Sequence, residues 1–204
     1  MTVYIPCYFN SIPERKENFY VVLTQYLNLG YQVVVYWMNE ESVELKNNNL
    51  RVIKGEKVNA SIARNKLLNL FYNSEELYGL FSDDDTYLKE RIEIDEKKDC
   101  VSFTNDYYKG IIQTHQISSS LLLLKNFKLS YKQELLFDES LEANQDLDFG
   151  ITLISSGIKT YRKSTDDVII YKGKSSMFLN GMNKLYKKEQ ALQYIEKKQY
   201  GNNI

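Results

Sequence analysis

Three consecutive aspartates, Asp83, Asp84 and Asp85, directly follow the apolar run Tyr78-Gly-Leu-Phe-Ser82. Adjacent carboxylates repel one another, so grouping them at a strand end costs stability unless a cation or hydrogen-bond donors offset it. A hard divalent ion such as Mg²⁺ or Mn²⁺ does so when one or two carboxylates share it with the phosphate oxygens of a ligand. In extended backbone Asp83 and Asp85 lie on one face while Asp84 points away, which singles out the first and third as a metal pair. A solvated acidic turn, or a helix start stabilised by its dipole, is the alternative reading of the same residues.

Two other segments carry groups that suit such a centre. In Asn59-Ala-Ser-Ile-Ala-Arg64-Asn65 an arginine falls in a helix just ahead of the acidic strand. There its paired N–H donors fit a phosphate or a base carbonyl, although helix-surface arginines are common. In Glu142-Ala-Asn-Gln145-Asp146-Leu-Asp148-Phe149 two acids open a helix that Gly157 ends. Asp146 or Asp148 is then a candidate general base, with helix capping as the plainer role for both.

The elements that must position these groups alternate along the first half of the chain. Residues 3–7 read as a short strand, and Ser11-Ile-Pro13-Glu14 as a capping box opening a helix that Gly30 ends. Phe19, Val22, Leu23 and Tyr26 line its inner face at helical spacing. Strands are expected over 31–38 and 50–54. A second helix, capped by Asn59, runs to Phe71 with Ile62, Ala63, Leu67 and Leu70 inward, before the strand 78–82. Further strands are expected over 99–103, 117–124, 158–162 and 168–171, a helix over 145–156, and a last amphipathic helix from about 183 to 198. This order predicts an α/β chain with a largely parallel sheet between helices, and ligands in such sheets sit beyond the strand C-termini. Tyr8-Phe9-Asn10 and the aspartates both fall at such ends.

Taken together, the loop Pro6-Cys7-Tyr8, the helix Ala63-Arg64-Asn65, Asp83-Asp84-Asp85 and Gln145-Asp146 resemble, in kind and order, the motifs of GT-A glycosyltransferases. The resemblance spans about residues 3–163. It implies one GT-A-like catalytic domain over 1–181, with a nucleotide-sugar half over about 1–100, an acceptor half over about 101–181, and a basic helix over 182–204. It further implies that Pro6, Tyr8, Asn10, Arg64, Asp83 and Asp84 bind the nucleotide-sugar. Asp83 and Asp85 would hold a divalent metal on the diphosphate, and Asp146, or Asp148 beside it, would activate an acceptor hydroxyl in an inverting displacement. The chain departs from the family pattern at Gln145, where an acid is common, and in lacking a late histidine ligand. Its one histidine, His115, lies far upstream. Lys172 and Lys174, flanking Gly173, are placed to hold the diphosphate instead.

Composition narrows the setting. The 204 residues are 43% hydrophobic and 26% charged, ordinary for a globular protein. No apolar stretch is long enough to span a bilayer, and no basic-then-apolar leader pattern opens the chain. Cys7 and Cys100 read as small buried hydrophobes, and Trp37 as core. A cytoplasmic protein is expected, in a host cytoplasm if phage-encoded. From Lys159 onward ten basic residues face four acidic ones, leaving +6 there and −7 elsewhere. Such a tail suits an anionic partner or a solvated helix. The resemblance implies a UDP-sugar as donor and a hexose or pentose as the group moved; with nothing that spans a bilayer, the acceptor is expected to be a glycan or, compatible with the basic tail, a hydroxymethylated base in DNA. Metal-dependent phosphoryl transfer or phosphatase chemistry, and a non-catalytic binding module, are the competing readings; no Gly-rich phosphate loop follows the first strand.

Overall fold

Strands buried on both faces are written as unbroken apolar runs, and the centre of this molecule follows that rule. The computed structural model describes residues 1–9, 12–104, 117, 120–170 and 181–200, except the side chains of 164, 181–188, 199 and 200. In chain order the elements are β1 (Thr2–Cys7), α1 (Pro13–Asn28), β2 (Gln32–Trp37), β3 (Leu50–Lys54), α2 (Ala60–Tyr72), β4 (Tyr78–Ser82) and β5 (Thr86–Leu88). They continue with β6 (Cys100–Thr104), β7 (Leu121–Lys125), α3 (Phe127–Tyr131), α4 (Gln145–Ser155), β8 (Thr160–Ser164), β9 (Val168–Ile170) and α5 (Gly181–Tyr200).

Seven strands form one sheet in the order β3-β2-β1-β4-β7-β6-β8, and β5 pairs with β9 in a small second sheet. Strands β1 to β4 run parallel, β7 is reversed between β4 and β6, and β8 runs parallel to β6. The sheet is thus mostly parallel, with helices on both faces, as the strand–helix alternation implied. Side chains alternate between two cores. Val3, Ile5 and Cys7 of β1 and Val33, Val35 and Trp37 of β2 pack with Phe19, Val22, Leu23 and Tyr26 of α1. Tyr4, Val34, Tyr36 and Phe81 face Ala63, Leu67, Leu68 and Phe71 of α2, with Phe149 and Leu153 of α4.

The helix ends are local chemistry. Asn59 caps α2, its side-chain oxygen accepting from the Ile62 amide at 2.9 Å. Gly30 and Gly157 take positive φ just beyond α1 and α4, where only glycine is free of strain. One expectation is corrected in part: α1 opens at Ile12, with no side-chain cap and Pro13 in its first turn, while Ser11 of the expected capping box lies outside the described residues. A second correction concerns α2, where Ile62 and Leu70 are only half-buried and Leu68 and Phe71 take the deep positions. The strand expected from Ile117 is seen over Leu121–Lys125. No helix among the described residues is long and apolar enough to cross a membrane.

The C-terminal helix α5 packs Ala191 and Ile195 onto Leu141 and Ala143, with Leu147 and Ile151 of α4 alongside. Asp138, at the head of that loop, accepts from Tyr194 at 3.0 Å and from Lys198 at 3.1 Å. Burial works to raise its pKa, but the Ser140 hydroxyl and amide, Lys198 and Tyr194 hold it down at about 2. A carboxyl depressed on folding stabilises above its unfolded value near 4 and loses that contribution as pH falls towards 2. Screened by nearby solvent, the expected loss is about 1 kcal/mol. Thermal unfolding at pH 5 and pH 2.5 measures it, and Asp138→Asn should reduce the difference by that amount.

Candidate active site

The site is built at the C-terminal ends of β1 and β4, which lie side by side in the sheet. The aspartates do not continue β4 as extended chain. They form a turn, closed by the Thr86 amide donating to the Asp83 carbonyl at 3.3 Å, which passes the chain from the main sheet into β5. Alternation along a strand therefore does not decide where the three carboxylates point; the turn does. Its base is pinned from α1: the buried Tyr26 hydroxyl donates to Ser82 Oγ at 3.0 Å, and the Ser82 hydroxyl lies 2.7 Å from the Thr86 carbonyl.

Each carboxylate meets a different environment. Asp83 is partly exposed and pairs with Arg64, Nη2 to Oδ1 at 2.7 Å. Asp84 is 2% exposed and points inward. It accepts from Arg15 at 2.8 Å and from the Tyr8 amide at 3.2 Å, so it ties α1, β1 and β4 together and does not face the crevice. Asp85 accepts from the Thr86 hydroxyl at 3.1 Å, and among the described residues no basic side chain pairs with it. Burial, then the charges of Asp83 and Asp84, push its pKa up to about 7. Among the described residues two arginines thus serve three acids, and Asp85 is the acid without one.

That imbalance fits a hard divalent cation, which would supply the missing positive charge to oxygen ligands. Among the described residues no three histidine, cysteine, aspartate or glutamate side chains converge on one point. A cation here would rest on Asp83 and Asp85 and complete its shell with ligand oxygens or water, as Mg²⁺ does beside phosphates.

Around the trio, Arg64 extends from α2. Burial opposes its charge, but Asp83, then Asp146, raise its pKa above the ordinary guanidinium value. Asp146 lies in the first turn of α4, within electrostatic reach of Arg64. Arg64 also stands 5.6 Å from the centre of the Phe137 ring. Pro6 lies in β1, half-buried, opposite Tyr36. The Tyr8 ring sits at the strand end under the Lys57 ammonium, 4.5 Å from its centre.

Asp148 is placed elsewhere. It is 2% exposed and held by Lys198 through both oxygens, at 2.9 and 3.2 Å, on the side of α4 that meets α5. Gln145, where the family pattern favours an acid, is buried and donates to the Leu141 carbonyl at 3.3 Å. Asn10, Lys172, Lys174 and His115 lie outside the described residues. Arg15, Lys57 and Lys198 are the site's partners that sequence reasoning missed. Only Arg15 left a signal: a cation in the first turn of a helix opposes the dipole and calls for a partner.

No sequence-family profile matches the chain, and no curated protein matches it in sequence. Solved structures do match. A mannosyltransferase from Pyrobaculum calidifontis, in complex with GDP-Man and Mn²⁺, aligns with TM-score 0.61 and 16% identity over 86% of this chain and 57% of that one. The catalytic domain of Drosophila β1,4-galactosyltransferase 7, in complex with xylobiose, gives 0.57 and 13% over 85% and 71%. The galactosyltransferase LgtC, bound to donor and acceptor sugar analogues, gives 0.52 and 12% over 97% and 96%. The chain spans little more than half the length of the mannosyltransferase it resembles. What the matches have in common is an architecture, and this chain has the fold of the GT-A glycosyltransferases.

Proposed function

We propose that this protein transfers a sugar from a nucleoside diphosphate-sugar to a hydroxyl of an acceptor glycan, with a divalent metal on the diphosphate. The observation that carries the reading is the pairing at the β4 turn: among the described residues Arg64 pairs with Asp83 and Arg15 with Asp84, while no basic side chain pairs with Asp85. In this reading Asp83 and Asp85 hold Mn²⁺ or Mg²⁺. The metal supplies Lewis-acid stabilisation of the departing diphosphate. Arg64 exchanges its contact with Asp83 for a diphosphate oxygen, and the Tyr8 ring offers a stacking face for the base. Lys172 and Lys174 are assigned to the same diphosphate.

Asp146 acts as general base. It takes the proton of the acceptor hydroxyl as that oxygen bonds to the anomeric carbon; the bond from that carbon to the diphosphate breaks, and the nucleoside diphosphate leaves with the electron pair. A sugar hydroxyl is favoured over a base in duplex DNA because Lys198 of the basic tail is spent on Asp138 and Asp148. That withdraws one charge from the phosphate contacts on which DNA affinity depends. UDP is the first base to test, with GDP beside it.

A thermal-shift series with UDP, GDP, UDP-galactose and GDP-mannose, each with and without Mn²⁺, tests the reading. One base series should stabilise only when metal is present, by about 2.7 kcal/mol at 100 times its dissociation constant. Stabilisation by none of them, or equally without metal, would sink it.

A further inference from the structure

The first turn of α4 carries Asp146. Its N-cap, Asn144, is left-handed with φ 56° and makes no side-chain cap bond. One grip on the turn comes from 50 residues away. Lys198 of α5 donates to both oxygens of Asp148 and to Asp138, so one ammonium joins the first turn of α4 to the head of the loop that leads into it. Tyr194 donates to the same Asp138 oxygen, and Ala191 and Ile195 bury against Leu141 and Ala143 between those two points.

Helical geometry gives this contact a direction. Residues two apart on a helix lie roughly 200° around its axis, so a turn gripped at Asp148 on one side presents Asp146 on the other. Arg64 lies over the Phe137 ring, which stacks on Phe149 of α4 with centroids 4.1 Å apart, and the Asp146 charge acts on it. The loop is held from there too: Asn65 exchanges hydrogen bonds with the Phe137 amide and carbonyl at 2.8 and 2.9 Å, and Asn59 donates to the Glu139 carbonyl at 2.9 Å. An apolar contact alone would dock α5 without the desolvation cost of a buried ion pair. The ionic grip adds what apolar packing lacks, a fixed roll of α4 about its axis.

We propose that α5 is a strap and that Lys198 is a positioning residue, setting the roll of α4 that aims Asp146 at the acceptor. The inference rests on the function proposed above, since it takes Asp146 as the base. It predicts a split between donor binding and turnover. In Lys198→Met, Mn²⁺-dependent stabilisation by UDP or GDP should match the wild type, because β1, β4 and Arg64 are untouched. Release of free nucleotide from UDP-galactose or GDP-mannose should fall by roughly 10- to 100-fold in kcat. Lys198→Arg should recover most of that loss.

Hydrogen exchange supplies a readout independent of turnover: amides of 145–148 should exchange faster in Lys198→Met while those of β1 and β4 do not change. If stranding the Asp148 charge prevents folding, the pair Lys198→Met/Asp148→Asn removes that charge and should show the same turnover deficit. Wild-type kcat in a folded Lys198→Met or in the double variant overturns the strap, as does a loss of nucleotide stabilisation in step with kcat. If the wild type releases no nucleotide, the proposed function fails instead, and the exchange pattern alone then decides whether the strap exists.

Discussion

Asp85→Asn should make the metal-free protein more stable at pH 8 and, in the same protein, remove its response to Mn²⁺. The sign follows from linkage. The folded Asp85 pKa stands at about 7, above the value near 4 of an unfolded aspartate, so the folded state keeps a proton that the unfolded state gives up. Stability therefore declines as pH rises from about 4 to about 7 and levels off above. At one pKa unit per 1.36 kcal/mol the penalty is at most about 4 kcal/mol. A domain of this size gains about 2–4 °C per kcal/mol, so the variant should melt several degrees higher at pH 8 and no higher at pH 4. Metal-dependent stabilisation by nucleotide should vanish, and nucleotide release should slow by roughly 10³-fold, as expected when a Lewis acid worth several kcal/mol is lost. An asparagine variant less stable than wild type at pH 8, or one that still answers to Mn²⁺, would remove Asp85 from the centre.

Asp146→Asn should separate chemistry from binding. A positioned general base contributes about 10²- to 10⁴-fold, and asparagine keeps the size of the side chain while abolishing its basicity. Nucleotide release from the donor that stabilises the protein should drop by that factor. The Mn²⁺-dependent thermal shift should be preserved, because Asp146 lies near Arg64 without being one of the proposed metal ligands. Asp148→Asn provides the contrast. It weakens the grip of Lys198 and should lower stability, with a smaller effect on turnover than Asp146→Asn. Equal losses from the two, or an unaffected Asp146→Asn, would place the base elsewhere.

How far the sequence could be read follows from where each element gets its definition. Strands β1, β2 and β4 are legible because burial on both faces makes their runs apolar throughout, and α1 because Phe19, Val22, Leu23 and Tyr26 repeat at helical spacing and all are buried. Strand β5 is not legible. It is three residues long and exists through its pairing with Val168–Ile170, some eighty positions away. The reversal of β7 is equally hidden, since Leu121–Leu124 would be as apolar in a parallel strand. At the site, Arg64 and Asp83 are expected at one strand end, and they form an ion pair there. The inward course of Asp84 and the engagement of Asp148 could not be read from the sequence, because both depend on cations, Arg15 and Lys198, delivered by tertiary folding. A lysine in a last helical turn reads as an ordinary answer to the dipole, which is why Lys198 gave no signal.

The Asp84 knot has a consequence for how specificity could evolve. One interior carboxylate gathers the end of β1, the start of α1 and the β4 turn within the fold itself, ahead of the nucleotide binding proposed above. The conformational entropy of ordering that corner is thus lost on folding, and association is spared it. Under the proposed function, side chains that project from the settled backbone, such as Tyr8 and Lys57, can then be exchanged to suit a different base while the frame that carries them stays as it is.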